Sequence, residues 1–396
     1  MAPVINLIDP EHFAEHGHPW DQYEWLRANA PVFWHDETHG PGFWAITKYE
    51  DIRVISQNPK VFSASETGPL LFDRDPTSFF GKDSLIAAME GPQHDRYRKL
   101  LERGFTPEKL NQLRPRIQEI AREILDAAMQ KGTGDFVSEI ALRLPAGLIA
   151  EIMGMPRQDL EHLYDLAPSR HTNDDTITSP EAVNDGLNQQ LAYGQSIADF
   201  KRKSPGDDLA SFWVNDDVEG DRLTDEEFKW FFAFFCMEEG ARVTMASGLQ
   251  LLFDHPDQRD KLMSNIDGHI ATAIEEMLRF SGPVISFKRT ATENTTIRGQ
   301  HINAGDSVML FYASANRDED VFENPNSFDI TRDPNPHVTF GGFGPHQCLG
   351  QNLARVEMAV MFKELLTLMP NIRSNGEFER EKSNLIAGIH YLPVTY

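Results

Sequence analysis

Cys348 is one of only 2 cysteines in 396 residues and lies in GGFGPHQCLG, residues 341 to 350. Glycine admits a close backbone approach where a side chain would collide, so a Gly-rich run ending in a thiol points the sulfur at a ligand rather than at the core. A buried structural cysteine is the usual reading of a lone Cys, and it leaves the glycines unexplained. Cys236 lies in the apolar run FFAFFCMEEG, where that structural reading holds. Three further stretches carry candidate chemistry. Glu276 and Arg279 in EEMLRF stand three apart on one helical face, close enough for an ion pair. Arg332, in the Pro/Asn-rich FENPNSFDITRD, can reach a buried carboxylate bidentately. His94 and Arg98 in GPQHDRYRK lie four apart and point the same way.

The elements that must position these residues are mostly helical. Apolar periodicity predicts helices near 92–103, 108–131, 135–153, 180–203 and 224–254. Ser179 before Pro180 reads as a cap and first turn, and Thr224 with Glu227 as a capping box. PVFWHD and GFWAIT form a β-like pair early in the chain, and β-type segments return from about 283 to 311. No internal repeat or linker is visible. The expected fold is therefore mainly α with small β-sheets, a single domain over residues 1–396.

A net charge of −24 disfavours nucleic acid and anionic membranes as partners. No apolar run approaches the roughly 18 residues of a membrane span, and the N-terminal stretch does not read as a signal peptide. A cytoplasmic protein without membrane insertion is expected.

Taken in order, these motifs resemble the cytochrome P-450 family of haem-thiolate monooxygenases. The resemblance rests on G-x-H-x-C-x-G (Gly344, His346, Cys348, Gly350), E-x-x-R (Glu276, Arg279) and H-x-x-x-R (His94, Arg98). FWAITKYEDI, PGDDLAS at 205–211, LLFDHPDQ at 251–258 and ANRDEDVFENPNSFD at 315–329 extend it along nearly the whole chain. It implies that Cys348 is the axial thiolate of a haem held between a long central helix and the cysteine loop. His94, Arg98, Arg289 and His346 match positions that hold the haem propionates, and Glu276, Arg279 and Arg332 match a structural triad behind the loop. With no C-x-x-C-H, the haem is expected to be non-covalent haem b. O2, and electrons from NAD(P)H through a ferredoxin reductase and ferredoxin, complete the implied set. The implied outcome is insertion of one oxygen into a lipophilic small molecule. Segments matching substrate-recognition positions contain Leu85, Ile86, Phe235, Glu238, Val284, Ile285 and Ile386, and 166–179 matches a lid.

Two departures stand out. The family's aromatic residue seven positions before the ligand is replaced by Gly341, with Phe340 one further back, as in its bacterial sterol and terpenoid hydroxylases. In the central helix the family's A-G-x-[DE]-T-T is altered. Counting back from His255 without a gap places Glu239 at the acid and Gly240 at the alcohol. Thr244, one turn later, is a second candidate alcohol, with an ordinary helix threonine as the plainer reading. Proton delivery would then be assisted by water or substrate.

A register with three residues deleted instead puts Arg242 and Val243 at the acid and alcohol, and turns the helix face by about 300°. That register implies a peroxide-using fatty-acid peroxygenase with Arg242 as carboxylate anchor. An O-demethylase and a haem-thiolate sensor are the remaining alternatives. A metal hydrolase built on His12, His16 and His18 lacks any ligand spacing. HDRYRKLLER with Arg114 and Arg116 forms a basic island on which an acidic ferredoxin could dock.

Overall fold

A computed structural model describes residues 3–37, 40–71, 85–156, 159, 180–217, 219–235 and 240–396. Local sequence explains most helix ends. The Pro107–Lys131 helix starts where Thr106 accepts the Lys109 amide and stops at Gly132, whose φ is 77°. Ile266–Ser281 begins at an Asn265 cap and ends at Gly282, φ 56°. The capping box forms as read: Thr224 N–H donates to Glu227 at 2.8 Å, and Glu227 N–H donates to the Thr224 hydroxyl at 3.2 Å. It opens the Asp225–Phe235 helix, and Gly240–Asp254 is helical within the later part of the predicted stretch. Residues 236–239, and with them Cys236, Glu238 and Glu239, lie outside the described residues, as do Ser179 and the segment 166–179. The predicted 135–153 helix is a π-turn over Val137–Ala141 followed by Arg143–Ile152.

The early β pair is an antiparallel hairpin, Val32–His35 on Phe43–Ile46, with Val32 opposite Ile46. Phe43–Ile46 then pairs in parallel with Ser307–Phe311, which pairs antiparallel with Ser286–Ala291, which meets the edge strand Phe62–Ser63. The 283–311 segment thus contributes two strands to this five-stranded sheet and a separate hairpin, Thr295–Ile297 with Gln300–Ile302.

The main apolar core lies among the helices. It joins Ile117, Ala121 and Leu125 to Leu249 and Leu252 and to Phe362 and Leu365 of the Gln351–Leu368 helix. Helix comprises about 53% of the structure, so the fold is mainly α. Among the described residues, no helix is long and apolar enough to cross a membrane.

Candidate active site

Cys348 lies at the entry to the Gln351–Leu368 helix, whose N-cap is Gly350. Its amide donates to the Phe340 carbonyl at 2.9 Å, closing the loop, and its side chain is exposed. The positive end of a helix favours an anionic sulfur. The glycines divide into two kinds. A Cβ at Gly344 would run into the Ser56 carbonyl and one at Gly342 into the Ser56 hydroxyl, so these two let the loop seat on the Tyr49–Ser56 helix. A Cβ at Gly350 would meet nothing within 4 Å. On the side where a Cβ would stand, the close neighbour of Gly344 is the chain itself. Arg98 also serves the loop, donating to the Pro345 carbonyl at 3.3 Å and to that of Gln347.

Beside the loop, the rings of His94 and His346 meet with centroids 4.6 Å apart and planes tilted by 53°. His94 is buried, and burial, then the charges of His346 and Arg98, hold its pKa below the ordinary value. Beside His346 stands Glu90, which accepts the Ala64 amide at 2.7 Å and lies 3.3 Å from His346 Nε2. Burial raises the Glu90 carboxyl, but His346, the Ala64 amide and Arg289 outweigh it and bring its pKa below the usual range. Arg289 is itself buried and donates to the Lys288 carbonyl at 2.8 Å. The buried His94 and Arg289, with His346 beside them, offer imidazole and guanidinium donors that suit a ligand bearing carboxylates. Glu90, four before His94 and so in phase with it, was missed in the sequence.

Behind the loop, Glu276 and Arg279 are both fully buried. Arg279 forks onto Glu276 at 2.8 and 2.7 Å, and Arg332 Nε adds bonds at 3.1 and 3.3 Å. Arg279 also holds the Asn316 and Pro325 carbonyls, and Arg332 those of Glu323, Asn324 and Ser327. The arrangement pins the meander under the loop. Glu276 and Arg279 have no solvent exposure, and the Arg332 side chain has 11%.

A separate apolar cluster brings together Leu70, Leu85, Val243, Leu385 and Ile386, with Trp230, Phe234, Val284 and Phe287 packed on it. Of the residues expected to line a pocket, it contains Leu85, Val284 and Ile386. Ile86 and Phe235 instead face the main core, where Phe235 stacks on Phe231 at 5.6 Å, and Ile285 faces the N-terminal core. The cause is phase. Val284 pairs with Ile386, so its neighbour Ile285 points to the opposite side. Trp230 and Phe234, one turn apart, were the legible signal for the face that Phe235 does not share.

A Cytochrome P-450 family profile matches residues 198–368. A steroid C26-monooxygenase of Rhodococcus jostii is 35% identical over 99% of this chain and 84% of its own length. A methyl-branched lipid omega-hydroxylase of Mycobacterium bovis is 35% identical over 94% of this chain and 89% of its own. A Mycobacterium marinum cytochrome P-450 in complex with pseudoionone superposes with a TM-score of 0.92 at 33% identity, covering 100% of this chain and 99% of that one.

The chain belongs to the cytochrome P-450 family.

As a P-450 it is a monooxygenase of the haem-thiolate type. The exposed thiol at a helix entry and the donors His94, His346 and Arg289 fit that group. In this P-450 the Thr244 hydroxyl donates to the Gly240 carbonyl at 2.7 Å. Arg242 is largely buried and bonds Glu381 at 2.9 Å. The basic island is corrected in detail: Arg96 pairs with Asp221 and Glu227 at 2.6 Å each, Lys99 pairs with Glu219, and Arg116 pairs with Glu119 and Glu151. The charges read as open to a partner are mostly neutralised within the chain.

Proposed function

We propose that this P-450 inserts one oxygen atom of O2 into a lipophilic small molecule of the sterol, terpenoid or branched-lipid class. Two electrons, delivered through a ferredoxin and its reductase, and two protons reduce the other atom to water. The reading is carried by the apolar cluster in which Leu85, Val243, Ile386 and their neighbours meet from separate segments of the chain. The relatives named for steroid and methyl-branched lipid oxidation support the same substrate class.

Haem held by a cysteine thiolate supplies O2 binding and O–O cleavage. Cys348 is its ligand in this reading, and His94, Arg289 and His346 hold its two carboxylates. Arg98 fixes the loop that presents the sulfur. The apolar cluster orients substrate and excludes water. Glu239 is the proton source, and Gly240 leaves room for a water or substrate hydroxyl beside it. The peroxygenase alternative loses ground, because a fatty-acid carboxylate would have to displace Glu381 from Arg242.

Two measurements test the proposal. Cys348→Ala abolishes the carbon-monoxide Soret signature of a thiolate; persistence of that signature overturns the ligand assignment. Titration with cholesterol, testosterone, pseudoionone and palmitate gives a low-to-high spin shift with one of the first three. A shift with palmitate alone, together with peroxide-driven turnover lost in Arg242→Ala, would favour the peroxygenase.

A further inference from the structure

Arg242 and Glu381 lie 139 positions apart and form an ion pair whose side chains are 10% and 12% exposed. The pair stands at the base of a loop with its own framework. The Glu381 amide donates to the Gly388 carbonyl at 3.0 Å, closing residues 381 to 388 on themselves. Inside, the Ser383 hydroxyl accepts the amides of Leu385 and Ile386 at 3.1 Å each. The loop is therefore braced internally. Its inner flank is stitched to the chain after the Ile266–Ser281 helix, where Ile285 N–H donates to Leu385 and Ala387 N–H donates to Pro283, each at 2.9 Å.

The other flank meets the Gly240–Asp254 helix at two adjacent residues. Arg242 holds Glu381, and Val243 lies so close to Gly388 that a Cβ there would overlap its methyl groups. One contact pulls the loop onto the helix, and the other stops it. Leu385 and Ile386, carried by the same loop, share the apolar cluster with Val243 and Leu85.

We propose that the Arg242–Glu381 pair is a positioning clamp for substrate specificity, setting the width of the apolar site by drawing the 381–388 loop onto the helix until Gly388 meets Val243. The inference rests on the lipophilic-substrate reading above and adds the residues that size the site. Neither charged residue touches substrate. Because the pair is largely dry, removing one partner strands the other charge, whereas neutralising both removes the pull without that penalty.

The test is a four-cornered cycle in the haem-loaded protein: wild type, Arg242→Gln, Glu381→Gln and the double variant, titrated with testosterone and pseudoionone by Soret shift. Each single variant is expected to weaken binding about tenfold and to broaden the set of carbons oxidised, with the carbon-monoxide signature retained. The double variant should lose no more than the worse single. Unchanged dissociation constants and products, or strictly additive losses, would overturn the clamp.

Gly388→Ala probes the stop independently if a single variant fails to load haem. It should weaken binding of the larger ligand, and Val243→Ala in the same chain should restore it. Gly388→Ala with unaltered binding, or a loss that Val243→Ala does not restore, would also overturn the clamp. A wild type that shifts with no probe refutes the substrate reading and the clamp with it; a wild type that shifts while the variants match it refutes the clamp alone.

Discussion

Thr244 donates its hydroxyl proton to the carbonyl oxygen of Gly240 at 2.7 Å, one helical turn back. Such a back-bond commits the hydroxyl to its own helix, and Thr244 is fully buried. Thr244→Val is expected to leave the spin shift intact and the ratio of product to NAD(P)H consumed within about twofold. Glu239→Gln should lower that ratio about tenfold or more, the scale of a lost proton donor. A collapse of coupling in Thr244→Val would return the alcohol role to Thr244.

Glu276 receives two arginines, the Asn335 amide at 3.0 Å and the Asp329 N–H at 3.0 Å, all on a carboxylate without solvent exposure. Glu276→Ala leaves two guanidinium groups facing one another with no counter-charge. The expected cost is about 3–5 kcal/mol, read from chemical denaturation together with lost haem retention. A variant with wild-type stability would remove the structural role.

His18 is fully enclosed, donates from Nε2 to the Gly282 carbonyl at 2.9 Å, and has its Nδ1 buried with no partner among the described residues. Burial, its dominant influence, lowers the pKa to about 4. The unfolded state binds the proton near pH 6.5 and the folded state only near pH 4, so stability falls as the pH drops through that window. The loss approaches about 3 kcal/mol by pH 4. His18→Gln keeps the donor to Gly282 and should flatten denaturation midpoints between those two pH values.

The opposite sign of shift occurs at Glu275, where burial raises the carboxyl but hydrogen bonds from His337 and Arg355 outweigh it and bring the pKa to about 2. Its contribution is complete above the unfolded value of 4.5 and disappears as the pH falls toward 2. Glu275→Gln should therefore be destabilising at pH 7 and much less so near pH 2.5, by denaturant midpoint.

Arg96 bridges Asp221 and Glu227, so its charge ties the Gly91–Glu102 helix to the start of the Asp225–Phe235 helix. Arg96→Gln should lower stability by up to about 1 kcal/mol while the rate of reduction by a ferredoxin stays within twofold. A tenfold slower reduction at unchanged stability would restore the docking role.

Local sequence carried the capping box at Thr224, the pairing of Glu276 with Arg279, the early hairpin, and the cysteine loop with its neighbours in motif spacing. Each depends on residues within a few positions, where backbone geometry alone sets what can meet. Composition and motif order carried the mainly helical fold and the family. What the sequence left open is what each face meets. The family resemblance put Phe235 among the pocket residues, yet the packing of its helix turned Phe235 into the core and Trp230 and Phe234 toward the apolar cluster. Gly342 and Gly344 admit Ser56, a contact hidden in the sequence because steric room belongs to a pair of surfaces and only one was in view. Arg96 looked like an open charge until Asp221, 125 positions away, neutralised it. Arg242 likewise acquired its partner across 139 positions. Short-range chemistry was written in the order of residues; long-range pairing, and with it the shape of the site, came only from folding.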